Sequence, residues 1–146
     1  MKKLIIGNDH RGLALKNFLF AQHAIGNHVI QWHDVGTDQA ERTDYPQYAF
    51  KAVKKLLAHE AEGAILLCST GVGMSMAANR FKHIFGALAW TPEIAKRAKE
   101  EDNANILILP ADYLSEQDAL AVIAALLDAR FLDEQYQNRL RELDMF

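Results

Sequence analysis

Apolar residues in this chain follow two alternating rhythms. Short unbroken runs, Leu4-Ile5-Ile6, Ala64-Ile65-Leu66-Leu67 and Ile106 to Leu109, have the length of strands buried on both faces. His28 to Val35, centred on Val29, Ile30 and Trp32, and Phe85 to Trp90 predict two further strands. Between them apolar positions return at helical spacing. Leu15, Phe18 and Leu19 share one face of a helix that Gly26-Asn27 would end. After Pro46, the residues Ala49, Ala52, Val53, Leu56 and Leu57 point inward and Lys51, Lys54 and Lys55 outward, as in a helix lying on a sheet. Thr91-Pro92-Glu93 opens a helix as N-cap, N1 proline and acidic first turn, and Ser115 to Asp118 opens another. Ala119 to Leu127 is nine apolar residues with no polar face, which predicts a second cover from a partner subunit. The segment from Asp133 to Asp144 reads as a charged helix.

Repeated strand–helix units predict a three-layer α/β/α domain over residues 1–146. Its sheet is expected to be Rossmann-like, five-stranded and parallel in the flavodoxin-like order, with the tail 131–146 reaching a partner subunit. The central stretch is Gly63 to Arg80. Strand three ends in Cys68-Ser69-Thr70-Gly71-Val72-Gly73, and a helix follows with Met74, Ala77 and Ala78 inward. A tight glycine turn aims several backbone N–H groups into one concavity, a site for an anion or a developing oxyanion. Cys68 stands at the carboxyl end of its strand, where open α/β sheets carry their chemistry. A helix N-terminus there would lower its thiol pKa from about 8.5.

Composition narrows the classes. With 50% hydrophobic and 24% charged residues the 146-residue chain reads as an ordinary globular domain. A net charge of −3 offers no basic field for nucleic acid or anionic membrane. The single cysteine forms no internal disulfide, the leading Met1-Lys2-Lys3 opens no signal peptide, and no apolar run reaches the ~20 residues of a membrane span. The reading is a cytoplasmic protein with a reduced thiol. Each candidate also has a plainer reading: Cys68 as a small core residue, His10 as a helix cap, Tyr45 as packing before Pro46. His23, His28, His33, His59 and His83 lack metal-ligand spacing, and Met74 and Met76 read as core.

Three segments together carry a resemblance: Asn8-Asp9-His10-Arg11-Gly12, Arg42-Thr43-Asp44-Tyr45-Pro46, and Cys68 to Ser75 with Ala78-Asn79. In order and spacing they resemble the ribose-5-phosphate isomerase B family, which includes the subunits of galactose-6-phosphate isomerase. The resemblance implies a cofactor-free, metal-independent aldose–ketose isomerisation of a phosphorylated sugar through a cis-enediolate. Cys68 would be the base, and the turn Thr70, Gly71, Val72 and Gly73, beginning beside Ser69, would hold the enediolate oxygen. Asp9 and Tyr45 would handle the sugar ring and hydroxyls, and His10 the phosphate.

The chain departs from that family pattern. Glu101 stands where the family has a ring-opening histidine, followed by Asp102 and Asn103. Asp112 and Gln135 replace phosphate-holding arginines, while Arg139 matches the remaining one, and Arg11, Arg42 or Arg141 could compensate. The resemblance implies a site shared across a dimer, with Glu101, Asp102 and Arg139 given by a neighbour. Three readings stand beside one another. The first is a homodimeric, or dimer-of-dimers, isomerase of ribose 5-phosphate. The second is the cysteine-bearing subunit of a hetero-oligomeric galactose-6-phosphate-type isomerase. The third is a non-catalytic sugar-phosphate binding protein.

Overall fold

The apolar runs become the middle of a six-stranded sheet. The computed structural model describes residues 1–146, the side chain of Asp133 apart. In chain order the elements are β1 (Lys2–Asn8), α1 (Leu13–Phe20), β2 (Ala24–Ile25), β3 (His28–Asp34), α2 (Tyr45–Leu57) and β4 (Gly63–Cys68). Then follow α3 (Val72–Ala78), β5 (Gly86–Leu88), α4 (Pro92–Asp102), β6 (Ile106–Pro110), α5 (Glu116–Asp128) and α6 (Asp133–Leu143). The strand order is β2-β3-β1-β4-β6-β5, and every pairing is parallel except β2 with β3. This is the three-layer α/β/α architecture expected.

Two details of the sheet correct the expectation. The first is the strand count. Gly26-Asn27 does not stop the first helix; α1 ends at Phe20, and Gly26, with φ of 57°, turns a two-residue hairpin. Glycine adopts that left-handed backbone at no steric cost, and such dipeptides favour hairpins. The antiparallel β2 is the sixth strand, added at the edge. The second is the order. The first three parallel strands, β1, β3 and β4, take the flavodoxin-like arrangement, but the last two are exchanged. Every residue of β6 is buried, whereas β5 is three half-buried residues, so the all-apolar strand takes the interior and β5 the edge.

Strand residues alternate between two cores. Leu4, Ile6, Ile65, Leu67, Leu107 and Leu109 face α1, α4 and α5 through Leu15, Leu19, Ala95, Ala119, Val122 and Ile123. Ile5, Ala64, Leu66, Cys68, Ile106 and Ile108 face α2 and α3 through Ala49, Ala52, Val53, Met74 and Ala78. Burying each large aliphatic side chain contributes roughly 1.5–3 kcal/mol before chain entropy is charged against it. Leu57, expected inward, is 41% exposed at the last turn of α2, and of the two methionines read as core Met74 is buried while Met76, on the outer face of α3, is 67% exposed. In α5, Ala119, Val122 and Ile123 are buried against the chain's own sheet, Ala121 is exposed, and Ala124 to Leu127 are half-buried. Among the described residues no helix is long and apolar enough to cross a membrane.

Candidate active site

Because β1, β4 and β6 are parallel neighbours, the loops that follow them meet at one end of the sheet. The Asp9 loop is drawn onto β4: its N–H donates to the Leu67 carbonyl at 3.2 Å. A Cβ on Gly12 would lie 2.8 Å from that same carbonyl oxygen, so only glycine lets the two loops approach this closely. Asp9 is 6% exposed, and its Oδ1 accepts the N–H groups of Arg11 at 2.9 Å and Gly12 at 3.2 Å. Its carboxylate therefore caps the short 3-10 turn, and also stands close enough to Cys68 to act on its charge.

Cys68 is buried at the end of β4, 5% exposed. Gly71 turns the chain with φ of 77° into α3, and Thr70 Oγ1 accepts the Val72 N–H at 3.3 Å. Tyr45 reaches this turn from the start of α2: a Cβ on Gly73 would meet its ring carbon Cζ at 2.6 Å. The Tyr45 ring thus lies against Gly73 and also packs on the core formed by α2 and α3. The thiol differs from expectation. Burial pushes it above its ordinary pKa, and the Asp9 charge adds to that. The backbone N–H groups of Met74, Gly71 and Thr70 pull the other way without overcoming it. Desolvation, which penalises the thiolate, outweighs the turn's dipoles.

His10 caps no helix. Its N–H donates to Thr43 Oγ1 at 3.1 Å, and its ring Nδ1 accepts the Thr43 N–H at 3.2 Å. That second bond assigns the ring hydrogen of neutral His10 to Nε2. Asp112 closes the far side. Its Oδ2 accepts Arg11 Nη2 at 2.7 Å and Ser69 Oγ at 2.5 Å, and its N–H donates to the Ser69 carbonyl at 3.1 Å. The Ser69 hydroxyl and then Arg11 hold the Asp112 carboxyl below its usual range. His10, Arg11, Asn17 and Asp112 line a cavity of about 530 Å³ beside the cysteine loop.

Glu101, Asp102 and Arg139 stand elsewhere in the chain. Glu101 accepts Arg97 Nε at 2.9 Å along α4. Asp102 ends α4, with only Asn103, Ala104 and Asn105 before β6 begins, so it lies toward the amino end of a sheet whose carboxyl end holds Cys68. Asp102 lines a cavity of about 720 Å³ with Arg80, Phe85, Leu140 and Phe146. Arg139, on α6, sets its guanidinium 5.2 Å from the Tyr136 ring centre. Among the described residues no cluster of three or more His, Cys, Asp or Glu is placed to hold a metal ion.

The family model for ribose/galactose isomerases matches residues 4–143. The chain belongs to that family. Among curated relatives it is similar to the ribose-5-phosphate isomerase B of Escherichia coli, at 34% identity over 98% of this chain and 95% of the relative. A probable ribose-5-phosphate isomerase B of Mycoplasma pneumoniae is 33% identical over 96% of this chain and 91% of its own. Among solved structures, the ribose 5-phosphate isomerase of Thermotoga maritima superposes with a TM-score of 0.91 at 37% identity, covering 99% of both chains. The Mycoplasma genitalium enzyme, solved with bound ribulose-5-phosphate, superposes with a TM-score of 0.86 at 29% identity, over 98% of this chain and 94% of that one.

For this member of the ribose/galactose isomerase family, sequence reasoning missed several partners at the site. Asn8, wholly buried, donates to the carbonyls of Asp9 at 2.9 Å and Thr37 at 3.1 Å. Thr43 was read only as part of a motif, and its exchange of hydrogen bonds with His10 spans 33 positions. Lys16 left one local signal, a charge beside the apolar Leu15 and Leu19. It is 2% exposed; burial would lower its pKa, but bonds to Asp34 and Asp38 carry it above the ordinary value.

Proposed function

We propose that this chain is a metal-independent aldose–ketose isomerase that interconverts ribose 5-phosphate and ribulose 5-phosphate through a cis-enediolate. The observation that carries the reading is Cys68 at the carboxyl end of β4, inside a glycine turn and facing Asp9, in a chain of this family. The relative solved with ribulose-5-phosphate supports that substrate pair. Cys68, as thiolate, takes the proton from C2 of the open-chain aldose and returns it to C1, while the hydroxyl proton passes from O2 to O1. Thr70 and the N–H groups from Gly71 to Gly73 hold the enediolate oxygen; such donors typically contribute 10²–10³-fold. Asp9 and Tyr45 hold the sugar hydroxyls, Ser69 and Val72 wall the loop, and His10 donates from Nε2 to the phosphate.

In this proposal Glu101, Asp102 and Arg139 act from a second copy of the chain; support comes from Asp102 ending α4 at the amino end of the sheet while Cys68 ends β4 at the carboxyl end. Glu101 takes the ring-opening role. On this reading the protein works as a single-domain subunit of a dimer in the cytoplasm, with Cys68 kept reduced. The test is proton exchange in heavy water: wild-type protein should place deuterium on the reacting carbon of ribose 5-phosphate, and Cys68→Ala should place none. Equal incorporation by both would remove Cys68 as the base. A second reading, one subunit of a hetero-oligomeric hexose-phosphate isomerase, is favoured by Asp112 occupying Arg11 beside the cysteine loop. Turnover of galactose 6-phosphate only after adding a paralogous subunit would select it.

A further inference from the structure

The segment 35–44 between β3 and α2 contains no helix or strand, yet it delivers both Thr43 and Tyr45 to the site. Asp34 Oδ1 accepts the Gly36 N–H at 2.8 Å, and Asn8 Nδ2 donates to the Thr37 carbonyl at 3.1 Å. Lys16 Nζ, from α1, donates to Asp34 Oδ2 at 2.7 Å and to Asp38 Oδ1 at 2.6 Å. One buried ammonium thus joins three pieces of chain: the helix that follows the Asp9 loop, the end of β3, and the middle of the segment. Only the ammonium end is buried: the Asp34 and Asp38 side chains are 25% and 86% exposed, and an ion pair with so exposed a partner as Asp38 stabilises a fold little. An apolar residue on the Leu15 and Leu19 face would pack as well. What the ammonium supplies is a fixed geometry for two carboxylates.

We infer that Lys16 is a positioning residue for the reaction: by holding Asp34 and Asp38 it fixes segment 35–44, and through Thr43 and Tyr45 it sets His10 and the ring over Gly73. The inference rests on the isomerase reading. Asp38 gives the sharper test, because its side chain is 86% exposed and its loss leaves Lys16 paired with Asp34.

In Asp38→Ala, KM for ribose 5-phosphate should rise about tenfold with kcat within about twofold, since what is lost is the placing of substrate-contacting groups. The melting temperature should stay near wild type, and Asp38→Glu should recover most of the KM. Hydrogen exchange at the Thr43 amide, whose acceptor is His10 Nδ1, should quicken about tenfold as the tether loosens. Lys16→Met should show the same KM change where it folds. Unchanged KM in Asp38→Ala, or a fall in kcat equal to the whole loss of kcat/KM, would overturn the inference. Should the wild type isomerise no sugar phosphate, the isomerase reading fails by itself. The Thr43 exchange rate then decides the positioning claim, upheld by acceleration in Asp38→Ala and overturned by none.

Discussion

Cys68 carries opposing influences within a few ångströms. The sulfur is buried and raised by desolvation, yet three backbone N–H groups are arranged to welcome its charge. The resting group is the thiol, and the reactive thiolate is populated more as pH climbs through and above the ordinary range near ~8.5. Alkylation by iodoacetamide should therefore be slow at neutral pH, accelerate steadily with alkalinity, and be suppressed by saturating ribose 5-phosphate. A pH-independent rate would contradict the raised pKa. The same shift links to stability. The folded state binds the Cys68 proton more tightly than the unfolded state, so the contribution is complete below the unfolded pKa. It is lost as pH rises through the folded one. Cys68→Ser should flatten that alkaline decline in urea titrations while abolishing isomerisation. At this scale the sequence was informative where chemistry is local. Cys68, its glycine turn and the Asp9-His10 pair are each contiguous in the chain. The Arg11–Asp112 pair spans 101 positions and Lys16–Asp38 spans 22, and no periodicity reports such meetings.

The glycines of the β4–α3 turn are distinguished by what they touch. Gly71 has φ of 77°, and a Cβ there would run into Leu88 and lie 3.1 Å from Ile108 Cγ2. Gly71→Ala should destabilise the fold by about 1–3 kcal/mol, from left-handed strain and overpacking together, read as a lowered denaturation midpoint. Gly73 has no such backbone strain and is occupied from above by Tyr45. Gly73→Ala should leave stability closer to wild type and lower kcat/KM by about 10²-fold as the ring is displaced. Reversal of those two patterns would mean that Tyr45 serves the core and Gly71 the site. Elements with strong patterning, such as α2 after Pro46 and β6, were legible. The edge elements were not. A two-residue strand has too few positions to show alternation, and Gly26-Asn27 suits a helix end as well as a hairpin. The exchange of β5 and β6 depends on which strand is the more completely apolar, a comparison across the sheet that no local window makes.

At the scale of the whole molecule, Asp102 at the end of α4 lies at the opposite end of the sheet from Cys68, and the proposed site takes Glu101, Asp102 and Arg139 from a second copy. In a mixture of Cys68→Ala and Arg139→Ala proteins, dissociated and reassembled, half the dimers are mixed and each has one of two sites intact. About a quarter of wild-type activity should return. Mixed dimers that remain inactive would refute sharing. The apolar α5 supplies a second probe. Ile123 faces the chain's own core, so Ile123→Glu should unfold the subunit rather than part it from a neighbour. Ala125→Glu, on the half-buried side, should instead shift the protein toward monomer in sedimentation while the far-ultraviolet spectrum is kept.

The two outer strands also bear on how such a chain behaves when crowded. An exposed strand edge is a template on which stray chains can polymerise. Here one margin is covered at His28 and Val29 by the short Ala24–Ile25 turn-back, and just beyond it the Ile30 N–H donates to the His23 carbonyl and Trp32 Nε1 to the Gln22 carbonyl, both at 2.9 Å. The other is the three-residue Gly86–Leu88. Little free ladder is left at either margin, so in the proposed dimer the half-buried side of α5, Ala124 to Leu127, would pair through a helical face with little edge-to-edge aggregation competing for the same molecules.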